Sequence, residues 1–180
     1  MTDGMKDIDP LRVVCVFGSG KIESDHYEWR LAYETGRQLA ELGYTVANGG
    51  YAGTMEASAN GAKDAGGTVL AVTCKLWGAS ANSYTDRTMC TEDLPERIET
   101  LIDLGQGGYV VLPGATGTLA EFAWAWELML KKAVPARPIV CVGDFWRPLI
   151  EMMSIRRPEG SQFVSVVSSP AELLVHFPGR

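Results

Sequence analysis

Residues 109–121 read YVVLPGATGTLAE, and the segment divides into three parts. Tyr109 to Leu112 is a short apolar run, the pattern of a strand buried on both faces. Pro113-Gly114-Ala115-Thr116-Gly117-Thr118 is rich in turn residues. A helix rich in alanine and tryptophan follows, to about Lys132. A strand that leads through a glycine-rich turn straight into a helix is half of a βαβ unit.

The same unit recurs in both directions from that segment. Upstream, Arg12 to Phe17 (RVVCVF) runs into Gly18-Ser19-Gly20, and a helix is expected from about Asp25 to Leu42. Asp25 with Glu28 has the form of a capping box. A second strand, Tyr44 to Asn48, runs into Gly49-Gly50-Tyr51-Ala52-Gly53 and a helix from about Thr54 to Ala65. A third strand, Thr68 to Thr73, precedes a polar stretch, Lys75 to Glu92, that reads as a long loop. A helix is expected from Asp93 to Leu104. Downstream come a strand at Pro138 to Val142, a short helix through Trp146 to Met153, a strand near Phe163 to Val167 and a last helix from Pro170. Regular β-α alternation with nearly continuous apolar strands predicts an α/β fold: a doubly wound, mostly parallel Rossmann-like sheet of six or seven strands, with helices on both faces. The expectation is one domain over residues 1–180, with residues 1–11 a flexible N-terminus.

Composition narrows the function classes. The 180 residues carry 16 basic and 22 acidic side chains, a net charge of −6, with no basic block, so nucleic acid is not an expected partner. No apolar run reaches about 18 residues, so no membrane span is expected. The polar N-terminus has no signal-peptide pattern, and Cys15, Cys74, Cys90 and Cys141 are scattered without a CxxC motif. Reduced thiols and a cytoplasmic protein are the expectation. With His26 and His176 the only histidines, no metal site is expected either.

In the common doubly wound order, the first strand and the Tyr109–Leu112 strand are neighbours, and ligands bind between their carboxyl ends. The loops at Gly18, Ser19 and Gly20 and at PGATGT then meet, with GGYAG beside them. Three such turns expose backbone amides, and helix N-termini behind them favour an anion, most simply a phosphate. Tight turns need glycine whatever they bind, so each loop taken singly has a purely conformational explanation. The dinucleotide fingerprint is broken, since Glu23 stands where its third glycine belongs and Asn48 where its acidic residue belongs. Gly20 and Lys21 are followed by Ile22, which excludes a phosphate-binding P-loop, and no GxSxG elbow occurs. Glu121 is the carboxylate at the crevice. It is either a catalyst or the fourth member of a Thr118–Glu121 capping box. Arg97 is the nearest candidate cation.

PGATGTLAE resembles the PGGxGTxxE signature of the Lonely Guy (LOG) family of cytokinin riboside 5′-monophosphate phosphoribohydrolases. NGGYAGTM (Asn48 to Met55) is similar to that family's GGGxxGxM turn, and CVFGSG (Cys15 to Gly20) to its first-strand loop. Arg97 falls near the family's arginine. Ala115 and Asn48 replace a glycine of each motif, and the chain resembles a bacterial branch of the superfamily. The resemblance implies hydrolysis of the N-glycosidic bond of a nucleoside 5′-monophosphate to free base and ribose 5-phosphate, with no cofactor. Glu121 and Arg97 would be catalytic. Gly18, Ser19, Gly49, Gly50, Gly53, Pro113, Gly114, Thr116, Gly117 and Thr118 would hold the substrate. Tyr51 or Trp77 could stack on the base.

Two other functions remain. The superfamily includes a molybdenum-cofactor carrier, and Ala115 and Asn48 could mark a binding protein. Lysine decarboxylase, an old label for these sequences, would need pyridoxal phosphate on a lysine, and the crevice loops offer only Lys21. A homodimer is implied by the family and by a helix that is apolar on several sides (Leu119, Phe122, Trp124, Trp126, Met129).

Overall fold

The computed structural model describes residues 7–78 and 80–179. Seven strands form one parallel sheet: β1 (Val13–Phe17), β2 (Thr45–Asn48), β3 (Val69–Cys74), β4 (Arg87–Thr91), β5 (Gly108–Val111), β6 (Ile139–Val142) and β7 (Val164–Val167). Their order is β4-β3-β2-β1-β5-β6-β7. The helices are α1 (Tyr27–Glu41), α2 (Thr54–Asp64), α3 (Leu94–Leu104), α4 (Thr116–Leu130) and α5 (Arg147–Arg156). This is the doubly wound Rossmann-like fold that the alternation predicts. The winding reverses at β1, which pairs with β2 on one side and β5 on the other.

Side-chain alternation divides each central strand between two cores. Val13, Cys15 and Phe17 of β1 join Tyr109 and Val111 of β5 and Ile139 and Cys141 of β6 on one face, under Leu101 of α3 and Phe122, Trp126 and Met129 of α4. Val14, Val16, Val110, Val140 and Val142 point the other way, onto Ala32 and Leu39 of α1 and Ala57 and Ala62 of α2. Both faces are therefore apolar, which is why these strands lack a polar alternation. Cys15, Cys74 and Cys141 are buried free thiols and Cys90 is an exposed one. Among the described residues no helix is long and apolar enough to cross a membrane.

Several local expectations are corrected. The stretch from Lys75 to Glu92 is not all loop. Lys75–Trp77 forms a 3₁₀ turn, and Arg87–Thr91 is edge strand β4, with Val72 of β3 opposite Met89. Its Thr88 and Cys90 are exposed, so an edge position with one neighbour leaves it too polar to read as a buried strand. Helix α1 begins at Tyr27, capped by His26, whose Nδ1 accepts from the Glu28 amide at 3.3 Å; the Asp25–Glu28 box does not form. Helix α4 begins two residues before Thr118, with Ala115 at the N-cap and no side-chain cap, so Thr118 and Glu121 form no capping box. The segment from Pro170 is a 3₁₀ turn, Pro170–Val175. Of the expected flexible N-terminus, residues 1–6 lie outside the described residues, while Pro10–Arg12 forms a 3₁₀ turn capped by the Asp9 carboxylate.

Candidate functional site

The carboxyl ends of β1, β2 and β5 open into a cleft of about 640 Å³, at the point where the winding reverses. Its wall includes Gly18 and Ser19 from the loop after β1, Gly49 and Tyr51 from the loop after β2, and Thr116, Gly117 and Thr118 from the start of α4. Arg97 and Glu121 lie in the same wall. The cleft therefore brings together both expected catalytic residues and most of the expected substrate-binding ones. Pro113, Gly114, Gly50 and Gly53 are not part of its wall.

The two loops nearest β1 are bound to each other. The Ser19 carbonyl accepts from the Thr54 amide at 2.9 Å and from its hydroxyl at 3.0 Å. Gly53 has φ of +68°, and a Cβ there would meet the Ser19 carbonyl oxygen at 2.4 Å, so the approach of the two loops requires glycine at this position. Asn48 explains its own departure from a glycine-rich turn. Its Oδ1 accepts from the Gly50 amide at 2.8 Å, and its Nδ2 donates to the Met55 carbonyl at 2.9 Å and Ser58 Oγ at 3.1 Å. It is a buried brace for the GGYAG loop.

The third loop leaves a helix end open. Gly114 packs under Thr118, where a Cβ would come within 2.2 Å of the hydroxyl oxygen. No side chain caps α4, and the amides of a first helical turn have no partner within the helix. Thr116 and Gly117 are exposed at the mouth of the cleft. Such an end attracts an anion through its free N–H groups and the dipole behind them.

Arg97 and Glu121 form a buried pair in the floor. Arg97 comes from the first turns of α3, whose N-cap Asp93 accepts from the Glu96 amide at 2.9 Å. Its Nε donates to the Val72 carbonyl at 2.8 Å, and its Nη1 to Glu121 Oε1 at 3.4 Å. The guanidinium lies 5.3 Å from the Trp77 ring centre and 5.7 Å from that of Tyr51, within cation–π range. Both members of the pair are more than nine-tenths buried. Burial pushes the Glu121 carboxyl up to about 7, against the opposing pull of Arg97. A carboxyl that titrates near neutrality in a cleft can gain or lose a proton during a reaction.

Two features of this floor are not visible in sequence. The Val72 carbonyl that orients Arg97 is a backbone group, with no residue-type signal. The approach of Trp77 to Arg97 joins two residues that are far apart in sequence, across β4. A second depression lies on the far side of α4. It is an apolar groove of about 320 Å³ between α4 and α5, with Leu119, Phe122, Trp126, Leu149 and Met153 in its wall. Glu127, Arg156 and Arg157 stand at its rim, with Arg157 Nη1 3.7 Å from Glu127 Oε2.

The chain is 32% identical over 133 residues to an uncharacterized protein of Archaeoglobus fulgidus, in a match that covers 74% of this chain and 85% of that one. It is 33% identical over 99 residues to the cytokinin riboside 5′-monophosphate phosphoribohydrolase of Mycobacterium tuberculosis, a match that spans about half of each protein, 53% and 52%. Among solved structures, the molybdenum cofactor binding protein of Rippkaea orientalis superposes with a TM-score of 0.71 at 21% identity, covering 91% of this chain and 93% of that one. At that identity the likeness is one of fold. The family model described as SLOG cluster4 matches residues 11–165, with the glycine loops, Arg97 and Glu121 all inside the match. The chain thus belongs to the SLOG cluster4 family, within the LOG-like superfamily.

Proposed function

We propose that the protein hydrolyses the N-glycosidic bond of a nucleoside 5′-monophosphate, releasing the free base and ribose 5-phosphate. The observation that carries this is Glu121. It is buried, faces Arg97 at 3.4 Å, titrates near 7 and shares a cleft with an uncapped helix end. The free amides of Thr116, Gly117 and Thr118 hold the 5′-phosphate, and Gly18, Ser19 and Gly49 close the near side of the cleft. Gly50, Gly53, Pro113 and Gly114 shape the loops. Cleavage of the bond between base and sugar leaves an oxocarbenium-like cation. The Glu121 carboxylate stabilises that charge and takes a proton from the attacking water, whose hydroxide joins the sugar; the base leaves with the bonding electron pair and takes up that proton, which restores the carboxylate. Arg97 keeps the carboxylate in place and offers a second donor to the sugar hydroxyls or the departing base. The phosphoribohydrolase name of the M. tuberculosis relative supports the same reaction class.

A panel of nucleoside monophosphates, assayed for free base, tests the proposal. Release from at least one member is the expected result. Tight retention of a nucleotide or pterin with no release from any would make the protein a carrier instead. A phosphate cradle also requires AMP to bind more tightly than adenosine by calorimetry, and equal affinities would remove the role given to α4.

We further propose a homodimer built on α4 and α5. No residue of helix α5 is fully buried within the chain; only Leu149 and Ile150 pack, half-buried, against the core. Ile155 is 80% exposed and Trp124 44%, on the two helices that carry the apolar groove. A second copy would cover these side chains. Light scattering is expected to give twice the 19.5 kDa chain mass at micromolar concentration, and a monomer would contradict it.

A further inference from the structure

We infer that the groove between α4 and α5 is a second ligand site, which takes a medium-chain fatty acid, with the aliphatic tail along the apolar wall and the carboxylate at Arg156. The inference stands apart from the cleft and from the reaction proposed for it.

The wall is apolar along most of its length. Helix α4 contributes Leu119, Phe122 and Trp126, and α5 contributes Leu149 and Met153, which are four residues apart and share a helix face. The aromatic part is fixed in place. The rings of Phe122 and Trp126 stack, with centres 5.4 Å and planes 11° apart. The Trp126 indole N–H donates to the Gly160 carbonyl at 2.9 Å, so its one polar atom is already used. Phe122 also meets the Trp146 ring edge-on at 5.8 Å, and the Trp146 indole N–H is tied to the Leu112 carbonyl at 2.9 Å. On the α5 side, Met153 is 37% exposed, and its unbranched thioether can follow the shape of a chain. At about 320 Å³ the groove stands at the small end of ligand sites, roughly 300–1,000 Å³. That is room for one small molecule.

The polar groups gather at one end. Leu119 and Leu149 come from the early turns of their helices, whereas Glu127, Arg156 and Arg157 come from the late ones or the cap. The two arginines differ. Arg157 is already matched, with Nη1 3.7 Å from Glu127 Oε2 and Nε donating to Glu159 Oε1 at 3.2 Å. Among the described residues no carboxylate pairs with Arg156. The chain as a whole carries a net charge of −6, so this cation stands against the overall sign.

A guanidinium holds a carboxylate through two parallel N–H···O bonds. An apolar wall that ends in one unmatched guanidinium therefore complements an aliphatic body with one terminal carboxylate. A neutral lipid would leave Arg156 unused, and a nucleotide has no aliphatic body for the wall. Ile155 and Trp124, the side chains offered above to a second copy, are not in this wall, so the groove and the proposed dimer contact draw on different residues.

The test is calorimetry with decanoate, decanol and acetate, on the wild type and on Arg156→Ala and Met153→Trp, with melting temperatures to show that both variants fold. The wild type is expected to bind decanoate about 10-fold more tightly than decanol, the scale of one charge-assisted hydrogen bond, and acetate not at all. Arg156→Ala should remove that preference, with decanol affinity unchanged within about twofold. Met153→Trp puts a larger side chain into the groove and should abolish binding of both. If the wild type does not bind decanoate, or binds decanol equally well, the site does not read a carboxylate and the inference is overturned. If Arg156→Ala keeps the full preference, the carboxylate is held elsewhere and the inference is likewise overturned. If decanoate does not bind and light scattering shows that Met153→Trp splits a wild-type dimer, the groove is a seat for a second copy instead.

Discussion

Glu121→Gln is expected to lower base release by about 100- to 1000-fold, the usual cost of removing one electrostatic element from a transition state. Nucleotide affinity should change little, because the proposed phosphate site is the amides of α4 and not the carboxylate. The substitution keeps an oxygen that can accept from Arg97 Nη1, so the 3.4 Å contact has a replacement. What it removes is the negative charge and the proton acceptor. Wild-type activity should rise with pH through about 7, where the Glu121 carboxyl ionises, and the variant should lose that limb. If the variant releases base at the wild-type rate, Glu121 is only the partner that holds Arg97.

Stability should respond in the opposite direction to activity. Burial raises the Glu121 carboxyl from an ordinary 4.5 to about 7, so the folded chain binds its proton more tightly than the unfolded chain does. Stability from this group is complete below the ordinary value and is lost as pH rises from there through about 7. The full loss is on the order of 3 kcal/mol, since each tenfold difference in proton affinity between the two states is worth about 1.4 kcal/mol. Glutamine does not titrate. Melting temperatures measured from about pH 4 to about pH 8, a range that brackets both values, should therefore move in favour of Glu121→Gln as the pH increases. The ionised form that the proposed reaction needs is the form that the fold resists.

The fold was legible because its strands are buried on both faces and its turns are glycine-rich. Both are local signals, and both survive in a single sequence. The meeting of the Gly18 and PGATGT loops also followed from topology, since β1 and β5 are neighbours at the reversal. Strand β4 was missed because an edge strand with exposed Thr88 and Cys90 loses the apolar signature. The capping motifs misled for a different reason. Ser, Thr, Asp and Glu spaced three apart match the box at many positions, but only the backbone decides where a helix begins. The α4 helix starts at Thr116, so Glu121 is free to face Arg97. That pairing joins two helices at the sheet's carboxyl edge, and no local pattern encodes it.

Gly49→Ala should disable the site through Arg97, by a methyl group that takes no part in the chemistry. A Cβ built on Gly49 falls 1.8 Å from Arg97 Nη2 and 2.6 Å from Met55 Sδ. Met55 is flexible and can yield. The guanidinium has less freedom, because its Nε is bound to the Val72 carbonyl and its Nη1 to Glu121. Gly49 has no positive φ, so the backbone tolerates alanine and the clash is the whole effect. Displacement of Arg97 by about 1 Å is expected to cost about 100-fold in turnover. Crowding of the floor should cost about 1–3 kcal/mol in stability. The double variant Gly49→Ala, Arg97→Ala separates these effects. Removing the guanidinium makes room for the methyl group, so the double variant should lose less stability than the two single losses added together. Its turnover should stay as low as that of Arg97→Ala alone, since neither protein has a cation in place. Additive losses in both measurements would mean that Gly49 and Arg97 act independently, and that the room left by this glycine serves the loop and not the arginine.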